Sequence, residues 1–333
     1  MKVAVIGAGY WGPNLIRNFL ALDEVESVVA CDLDEGRLAR MRKSFYGIET
    51  ATDYAEVVTR PDIAIVVIAT PVSTHHAIAK KALANGKHCF IEKPMTSSTA
   101  EAEELIEIAE RKNLQLFVDH TFIYTGAVRK MKEIVTSGRL GDIYYFDSVR
   151  INLGLFQHDV NVVWDLAPHD LSIMDYLLGK RPLSVSAIGA CHVGNGLEDI
   201  AYLTLQFENN LIAHFHVNWL APVKIRKTLI GGTKSMIVYD DTEASEKLKI
   251  YDKGIDVTTR EGVYDTLVQY RTGDMLSPKL DQDEALAVGT RAFVNAILND
   301  EKLITDGHAG LNVVRILEAS TESISNRGAI IEL

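Results

Sequence analysis

The sequence predicts an α/β protein with two domains: an N-terminal doubly wound parallel sheet and a C-terminal α+β domain with a large, mostly antiparallel open sheet. Three observations support this prediction. A glycine-rich turn follows the first strand, short apolar strands alternate with helical patterns up to residue 121, and β-type alternation dominates from residue 143. Because 333 residues are too many for one core, we expect domains at residues 1–121 and 122–333.

The composition is that of an ordinary globular protein, with 47% hydrophobic and 24% charged residues. A net charge of −11 disfavours nucleic acid as a partner, because phosphate binding needs a basic surface. No apolar run approaches the roughly 20 residues of a membrane span, and the N-terminus enters a strand at once instead of a secretory signal. We therefore expect a cytoplasmic protein with no membrane partner.

The three cysteines, Cys31, Cys89 and Cys191, lie far apart in the sequence and in apolar surroundings. They form no C-x-x-C motif or Cys/His cluster of the kind that binds zinc. The sequence therefore predicts three buried, reduced thiols and no metal site.

The first strand runs into a G-x-G-x-x-G turn at residues 7–12, and this turn opens a helix. In such a Rossmann-type turn the first glycine allows the tight bend, the second lets the backbone approach a pyrophosphate, and the third lets the helix pack on the strand. The helix N-terminus adds unpaired N–H groups and a positive dipole for the phosphates. The candidate cofactor residues of the turn are Gly7, Gly9, Tyr10, Trp11 and Gly12.

A second strand ends in Asp32, which lies 20 residues after Gly12. This spacing suits a carboxylate that accepts hydrogen bonds from the adenosine ribose hydroxyls. Because an acid there repels a 2′-phosphate, the sequence favours NAD over NADP as the cofactor. Two alternatives stay open: Arg37 or Arg40 on the next helix reaches such a phosphate, or Asp32 only caps that helix.

Three later strands end at the same edge of the predicted sheet, where open α/β folds bind their ligands. The apolar run at residues 62–71 is typical of a central parallel strand buried on both faces. The next run ends in an acid, an amine and a proline, and the last ends in a histidine. An amine at this edge can meet both cofactor and substrate. The residues at these strand ends are Thr70, Pro71, Glu92, Lys93 and His120.

Beyond residue 121 one helix is predicted at residues 126–137, and β-type patterns then dominate. A large antiparallel sheet packs one face on helices and leaves the other for a partner. We therefore expect a homodimer or homotetramer formed through the C-terminal sheet. The predicted strands cover residues 143–153, 183–193, 199–207, 211–219, 224–230 and 234–239, and two last helices cover residues 280–300 and 309–327.

The second predicted domain contains a carboxylate–histidine pair, Asp165 and His169, at positions i and i+4 on one face of a helix. Pro168 is tolerable there if it lies in the first helical turn. On its own such a pair is either catalytic or structural. Weaker substrate candidates are His158, Asn161 and Trp219, each of which also has a structural interpretation.

These residues together resemble the Gfo/Idh/MocA oxidoreductases, the family of glucose–fructose oxidoreductase and inositol dehydrogenase. The resemblance rests on the glycine turn, on the Thr-Pro-x-x-x-His motif that starts at Thr70, and above all on Glu92-Lys93-Pro94. It implies that Lys93 lies beside the nicotinamide and the substrate hydroxyl. It further implies the catalytic set Lys93, Asp165 and His169, and additional cofactor contacts from Thr70, Pro71, His75, Glu92, Lys93 and His120.

Oxidation of a secondary alcohol needs a hydride acceptor, which NAD supplies, and a base for the hydroxyl proton. Histidine suits the base near neutral pH. We expect His169 to take the proton, Asp165 to orient the alcohol or the imidazole, and Lys93 to stabilise the developing alkoxide. An exchange of roles between Lys93 and His169 stays open, and the chemistry requires no metal.

The resemblance also implies a sugar-like substrate. Family members similar to this chain at residues 9–15 and 164–170 oxidise C3 of UDP-N-acetylglucosamine or a related uronate. An inositol or free monosaccharide dehydrogenase is the alternative enzyme. A dinucleotide-binding regulator without turnover is an alternative of another class, although such a protein has no need of a full proton-transfer set. We expect an NAD-dependent sugar dehydrogenase, with NADP as the less favoured cofactor.

Overall fold

A computed structural model of the chain describes residues 1–154, 159–193, 196–252, 254–258, 267–271 and 273–333. The chain divides into two compact units. The first comprises Met1–Tyr124 and Asp283–Glu318, and the second comprises Thr125–Gln282 and Ala319–Leu333. The division after Tyr124 lies close to the predicted boundary, whereas residues 283–318, which the sequence assigned to the second domain, are grouped with the first unit.

Helices and strands alternate in the first part of the chain, and strands dominate its middle. The helices are α1 (Gly12–Leu20), α2 (Glu35–Ser44), α3 (Tyr54–Val57), α4 (Val72–Ala84), α5 (Thr99–Arg111), α6 (Gly126–Thr136), α7 (Val162–Leu178), α8 (Ala285–Asn299) and α9 (Gly307–Ser325), with 3-10 turns at Thr121–Tyr124 and Glu208–Asn210. The strands are β1 (Lys2–Ile6), β2 (Ser27–Cys31), β3 (Glu49–Ala51), β4 (Ile63–Ile68), β5 (His88–Glu92), β6 (Leu116–Asp119), β7 (Ile143–Leu153), β8 (Ser184–Ala190), β9 (Ile200–Gln206), β10 (Ile212–Asn218), β11 (Leu220–Gly232), β12 (Met236–Asp240), β13 (Leu248–Tyr251), β14 (Gly254–Thr258), β15 (Leu267–Arg271), β16 (Met275–Leu276) and β17 (Ile331–Glu332).

The strands of the first unit form a parallel sheet in the order β3-β2-β1-β4-β5-β6. This confirms the predicted doubly wound fold. The strand order reverses between β1 and β4, and in such sheets a dinucleotide lies across the carboxyl ends of the strands at that point. The central strand β4 is almost fully buried, as its continuous apolar sequence indicated.

An aromatic cluster explains why residues 283–318 belong to the first unit. Phe90 of β5 stacks on Phe117 of β6 with ring centroids 4.4 Å apart. Phe293 of α8 packs against these rings at 5.7 and 5.5 Å. The N–H of Val118 also donates to the carbonyl of Thr305 at 2.9 Å. These contacts join segments far apart in sequence, so no local pattern predicted them.

The second unit contains the sheet β16-β13-β12-β11-β7-β10-β9-β8-β17, in which β7 and β10 pair in parallel and the other neighbours are antiparallel. The predicted strands correspond to β7 through β12, which confirms a mostly antiparallel sheet. Asn209 and Asn210, between β9 and β10, both have a φ of 59°, a left-handed conformation that asparagine tolerates better than most residues.

Helix α7 begins earlier than the sequence predicted, and Pro168 therefore lies inside the helix and not in its first turn. Having no N–H, Pro168 cannot donate to the carbonyl of Trp164 one turn back. The helix is capped by Asn161, whose side-chain oxygen accepts from the N–H groups of Val163 and Trp164 at 3.1 and 3.2 Å. Asn161, a candidate for substrate contact, thus caps α7.

Two further expectations concern the thiols and the membrane. Cys31 and Cys89 are buried as predicted, but Cys191 is exposed because it lies just beyond the end of β8. None of the helices in the described ranges combines the length and apolarity that a membrane crossing requires. Within those ranges no group of three or more His, Cys, Asp or Glu side chains is arranged to hold a metal ion.

Candidate active site

The glycine turn joins β1 to α1, and its three glycines have different surroundings. Gly7 has a φ of +100°, and a Cβ there would lie 2.5 Å from the carbonyl oxygen of Ala69. A Cβ on Gly12 would lie 2.3 Å from the carbonyl oxygen of Gly7. At Gly9 the nearest atom to such a Cβ is Nη1 of Arg37, 4.0 Å away. The fold itself thus requires Gly7 and Gly12, whereas Gly9 faces open space that suits a ligand.

The N-terminus of α1 is a candidate anion-binding site. Trp11 occupies the N-cap position but supplies no side-chain hydrogen bond, and proline follows in the first turn. Pro13 has no N–H, and the N–H of Asn14 donates to the carbonyl of Trp11 at 3.0 Å, so the helix dipole is the main feature of this turn that favours an anion. Tyr10 and Trp11 border the space beside Gly9, 82% and 43% exposed, with their rings edge to face at 5.4 Å.

Asp32 follows β2 and is buried against the glycine turn. Its carboxylate accepts hydrogen bonds from the N–H of Ala8 at 2.7 Å and of Asp34 at 2.8 Å, and Nη1 of Arg37 lies 3.4 Å from Oδ2. Burial acts to raise the pKa of Asp32, but the bonds from Asp34 and Ala8 and the Arg37 charge outweigh it and lower the pKa. Asp34, not Asp32, caps α2. The alternative that Asp32 only caps this helix is therefore wrong.

His75 lies in the first turn of α4 and joins two strand ends. Its Nε2 is 2.8 Å from the carbonyl oxygen of Thr70, and its Nδ1 is 3.0 Å from that of Pro94. Burial lowers the pKa of His75, although its hydrogen bonds to these carbonyls oppose the change. The resemblance implied a cofactor contact for His75. In the structure its ring nitrogens contact backbone, and they tie the end of β4 to the turn that contains Lys93.

Glu92 and Asp119 are register partners at the carboxyl ends of β5 and β6, and we call them the acid pair. They are 7% and 2% exposed. Oε1 of Glu92 and Oδ2 of Asp119 have no hydrogen-bond partner among the described residues, while Oδ1 of Asp119 accepts from the hydroxyl of Thr121 at 2.9 Å. Half-buried Lys93 follows Glu92 directly, and its peptide bond to Pro94 is cis.

The titration behaviour of this cluster follows from its burial. Burial and the neighbouring Asp119 raise the pKa of Glu92 well above its ordinary value, against the opposing effect of Lys93. Burial raises the pKa of Asp119 to about 7, although Thr121 and Lys93 oppose this change. Burial, then the Lys93 charge, lower the pKa of His120 to about 3. Lys93 therefore lies beside an imidazole and an acid pair whose burial favours the neutral forms of all three groups.

In the second unit, Asp165 is held by an indole. Its Oδ2 accepts a hydrogen bond from Nε1 of Trp219 at 3.0 Å. Trp219 is 1% exposed, and Gly154 makes room for it, since a Cβ there would lie 2.7 Å from the indole ring. The sequence left stacking or packing open for Trp219. The structure adds a third role, the orientation of Asp165, which no local pattern indicates because 54 residues separate the two.

The residue after His169 anchors α7 to the sheet. Asp170 forms a two-pronged ion pair with Arg150 of β7, with Nε–Oδ2 and Nη2–Oδ1 distances of 2.7 and 2.9 Å. These side chains are only 6% and 3% exposed. The sequence contained one signal of this pair, because Arg150 alternates with the buried Phe146 and Ser148 on the inward face of a predicted strand.

The predicted site residues thus fall into two groups. The structure brings the glycine turn, Asp32, His75, Glu92, Lys93 and His120 to the carboxyl edge of the first sheet, where Asp119 is an additional polar residue that the sequence analysis missed. It places Asp165 near the start of α7 and His169 near the middle of that helix, in the second unit. His158 lies outside the described residues. The glycine turn and Asp32 lie at β1 and β2 and suit the adenosine half of a dinucleotide. The nicotinamide half is therefore expected at the carboxyl ends of β4, β5 and β6.

This arrangement defines the class of protein as a dinucleotide-binding oxidoreductase. Residues 1–120 match the Gfo/Idh/MocA oxidoreductase family with its NAD-binding Rossmann fold, and residues 128–238 match the Gfo/Idh/MocA C-terminal domain. The chain belongs to the Gfo/Idh/MocA oxidoreductase family, and NAD is the cofactor of its first domain.

Individual relatives match along nearly the whole chain. UDP-N-acetylglucosamine 3-dehydrogenase of Acidithiobacillus ferrooxidans is 27% identical over 94% of each chain. Its solved structure covers 98% of both chains with a TM-score of 0.81 at 25% identity. A solved protein from Magnetospirillum magnetotacticum MS-1 is 30% identical over 96% of this chain and 99% of that one, with a TM-score of 0.81. Scyllo-inositol 2-dehydrogenase (NADP(+)) of Bacillus subtilis strain 168 is 23% identical over 99% of this chain and 95% of its own.

Proposed function

We propose that this protein is an NAD-dependent dehydrogenase that oxidises the C3 hydroxyl of a UDP-N-acetylhexosamine or a related nucleotide sugar. The observation that carries the proposal is the likeness to UDP-N-acetylglucosamine 3-dehydrogenase, which extends over 94% of both chains. The chain also has the groups that the reaction needs, since it combines a dinucleotide-type glycine turn with an amine, a carboxylate and an imidazole.

The proposed roles follow from the chemistry of each side chain. Bound NAD supplies the hydride acceptor. His169 takes the proton of the substrate hydroxyl, and Asp165, held by Trp219, orients the alcohol or the imidazole. Lys93 donates a hydrogen bond to the oxygen as negative charge develops on it. The exchanged assignment, with Lys93 as proton acceptor, is separable from this one by the pH profiles of the two single variants.

The preference for NAD over NADP rests on Asp32. Its carboxylate is kept ionised beside the glycine turn by two backbone N–H groups, and it repels a 2′-phosphate. Arg37 lies within 3.4 Å of that carboxylate, which partly neutralises the Arg37 charge. The test is the ratio of kcat/KM for NAD and NADP in the wild type and in Arg37→Ala. A wild-type preference for NADP that Arg37→Ala abolishes would reverse the assignment.

The central experiment mixes protein, NAD and UDP-N-acetylglucosamine and follows NADH absorbance. Substrate carrying deuterium at C3 should give deuterated NADH, which identifies the carbon that loses the hydride. Free N-acetylglucosamine serves as the control for the nucleotide part. Turnover of the free sugar at an equal kcat/KM would contradict a nucleotide-sugar specificity.

An inositol or free monosaccharide dehydrogenase is the second candidate. It is favoured by the match to scyllo-inositol 2-dehydrogenase, which covers 99% of this chain. Scyllo-inositol and myo-inositol in the same absorbance assay distinguish the two substrates. If NAD binds but neither nucleotide sugars nor inositols give NADH, the result would favour the alternative of a dinucleotide-binding regulator.

We also propose that the protein forms a homodimer or homotetramer through the open face of the second sheet. Ile188, Tyr202 and Ile212 lie on one face of β8, β9 and β10 and are 63%, 43% and 46% exposed. Ile188 pairs directly with Tyr202, whereas Ile212 pairs with Gln206 farther along β9. Exposed apolar side chains on one face of a sheet favour association. Sedimentation of the wild type should give a dimer or tetramer that Tyr202→Asp weakens. A monomeric wild type at micromolar concentration would rule this interface out.

A further inference from the structure

We propose that the acid pair, Glu92 and Asp119, is a proton-exchanging site that senses the charge of the nicotinamide ring. It releases a proton when NAD⁺ binds and retains that proton when NADH binds. This inference rests on the proposed function only in placing the nicotinamide half of the cofactor at the carboxyl ends of β4, β5 and β6.

The geometry forces the two carboxyl groups to interact. Adjacent strands lie about 4.8 Å apart, and Glu92 and Asp119 occupy the same register position on β5 and β6. Both side chains are buried, and each has an oxygen atom without a hydrogen-bond partner among the described residues. Two carboxylates cannot both ionise cheaply at such a position, so the pair retains a proton and titrates as a unit.

The charges of the acid pair and its neighbours nearly cancel when the pair holds one proton. Lys93, which follows β5, is the cation that acts on both carboxyl groups. His120 after β6 and His75 on α4 face the same cation, and burial keeps both imidazoles neutral. The Thr121 hydroxyl donates to Asp119. With one ammonium and one carboxylate, the cluster is neutral while the pair holds a single proton.

A second positive charge at this edge of the sheet changes the proton affinity of the acid pair. The oxidised nicotinamide ring carries one positive charge and the reduced ring carries none. A nearby cation favours the ionised form of a carboxyl group, so NAD⁺ lowers the proton affinity of the acid pair and NADH leaves it unchanged. By linkage, NAD⁺ then binds more tightly as pH rises through the titration range of the pair, and NADH does not.

The test is calorimetric titration of the wild-type protein with NAD⁺ and with NADH at pH 7, in buffers of different ionisation enthalpy. The dependence of the heat on the buffer gives the number of protons released. We expect a release approaching about one proton per NAD⁺ and about none per NADH. Asp119→Asn removes one of the two coupled carboxyl groups and the repulsion between them, so most of the release at pH 7 should disappear while NAD⁺ still binds.

A second variant keeps the proposal testable if Asp119→Asn does not fold. Thr121→Val removes the hydroxyl that stabilises the Asp119 carboxylate, so the pair should hold its proton to higher pH. The midpoint of proton release should move upward by roughly one pH unit. Thr59→Val is the control, because its exposed hydroxyl donates to the carbonyl of Glu56 and the midpoint should stay unchanged.

The outcomes separate this inference from the proposed substrate. Equal proton release with NAD⁺ and NADH, or a release that survives in Asp119→Asn and does not shift in Thr121→Val, would overturn the inference. Turnover of UDP-N-acetylglucosamine without cofactor-dependent release would overturn the inference alone. Charge-dependent release in a protein that oxidises no sugar would support the inference and overturn the proposed function.

Discussion

The carboxyl edge of the first sheet and the start of α7 in the second unit hold their polar side chains in different ways. At the sheet edge, the positions of the side chains follow from the glycine turn and from where each strand ends. The register of β5 and β6 then places Glu92 beside Asp119. On α7, Asp165 depends on Trp219 and the residue after His169 depends on Arg150. Local sequence therefore encodes the first region, and long-range contacts support the second. Substitutions in the first region should accordingly act mainly on binding and chemistry, whereas those in the second should also act through the position of α7.

The largest expected effect is on stability in the second unit. Asp170→Asn leaves the buried guanidinium of Arg150 without its countercharge and should destabilise the protein by about 3–5 kcal/mol. Denaturant unfolding measures this change. The control is Glu133→Gln, which removes a solvent-exposed ion pair with Lys130 on α6 and should change stability by less than about 1 kcal/mol.

A double variant sharpens the same comparison. Arg150→Met with Asp170→Leu replaces the buried pair with apolar groups of similar volume, so stability should recover most of the loss. If the pair also positions α7, turnover should stay low while stability recovers. Full recovery of both properties would show that the pair only stabilises the fold.

Lys93→Ala should give the next largest effect, and on chemistry instead of stability. Removal of a hydrogen-bond donor to developing negative charge costs about 10²- to 10³-fold in kcat. The affinity for NAD should change little, because the glycine turn and Asp32 are untouched. Steady-state kinetics and NAD titration provide the two readouts. Lys80→Ala, an exposed lysine on α4 paired with Glu104, is the control, and a Lys93→Ala enzyme with the wild-type rate would exclude the assigned role.

Gly9→Ala tests the cofactor edge separately. A Cβ at Gly9 meets no protein atom closer than 4.0 Å, so the thermal midpoint of the free protein should stay unchanged. The same Cβ occupies space that a pyrophosphate needs, and the Kd for NAD should rise by at least about tenfold. Gly12→Ala is the contrast, because its Cβ would clash with the backbone of Gly7 and should lower the thermal midpoint itself. Equal losses of stability in the two variants would contradict this division of roles.

The two regions also differ in how much of them could be predicted. The glycine turn, the strand ends and the strands β7 to β12 follow from periodicity and turn chemistry, which are local properties. The prediction that Pro168 lies in the first helical turn was wrong, because α7 begins at Val162 after the capping residue Asn161. Packing of α8 on the first sheet and the Trp219–Asp165 bond join residues distant in sequence, and no single-sequence pattern reports such contacts.

The smallest expected effect concerns the bond that orients Asp165. Trp219→Phe preserves most of the buried ring volume and removes the Nε1–H donor to Oδ2. One hydrogen bond of this kind contributes about 1 kcal/mol, so kcat/KM should fall roughly fivefold. The smaller ring also leaves a cavity, so the thermal midpoint should fall as well. Trp164→Phe is a matched control on α7 itself, because its indole donates to the hydroxyl of Thr321 and not to a predicted catalytic side chain. If both variants lose activity equally, the loss comes from disturbed helix packing, and the hydrogen bond from Trp219 has no specific role in orienting Asp165.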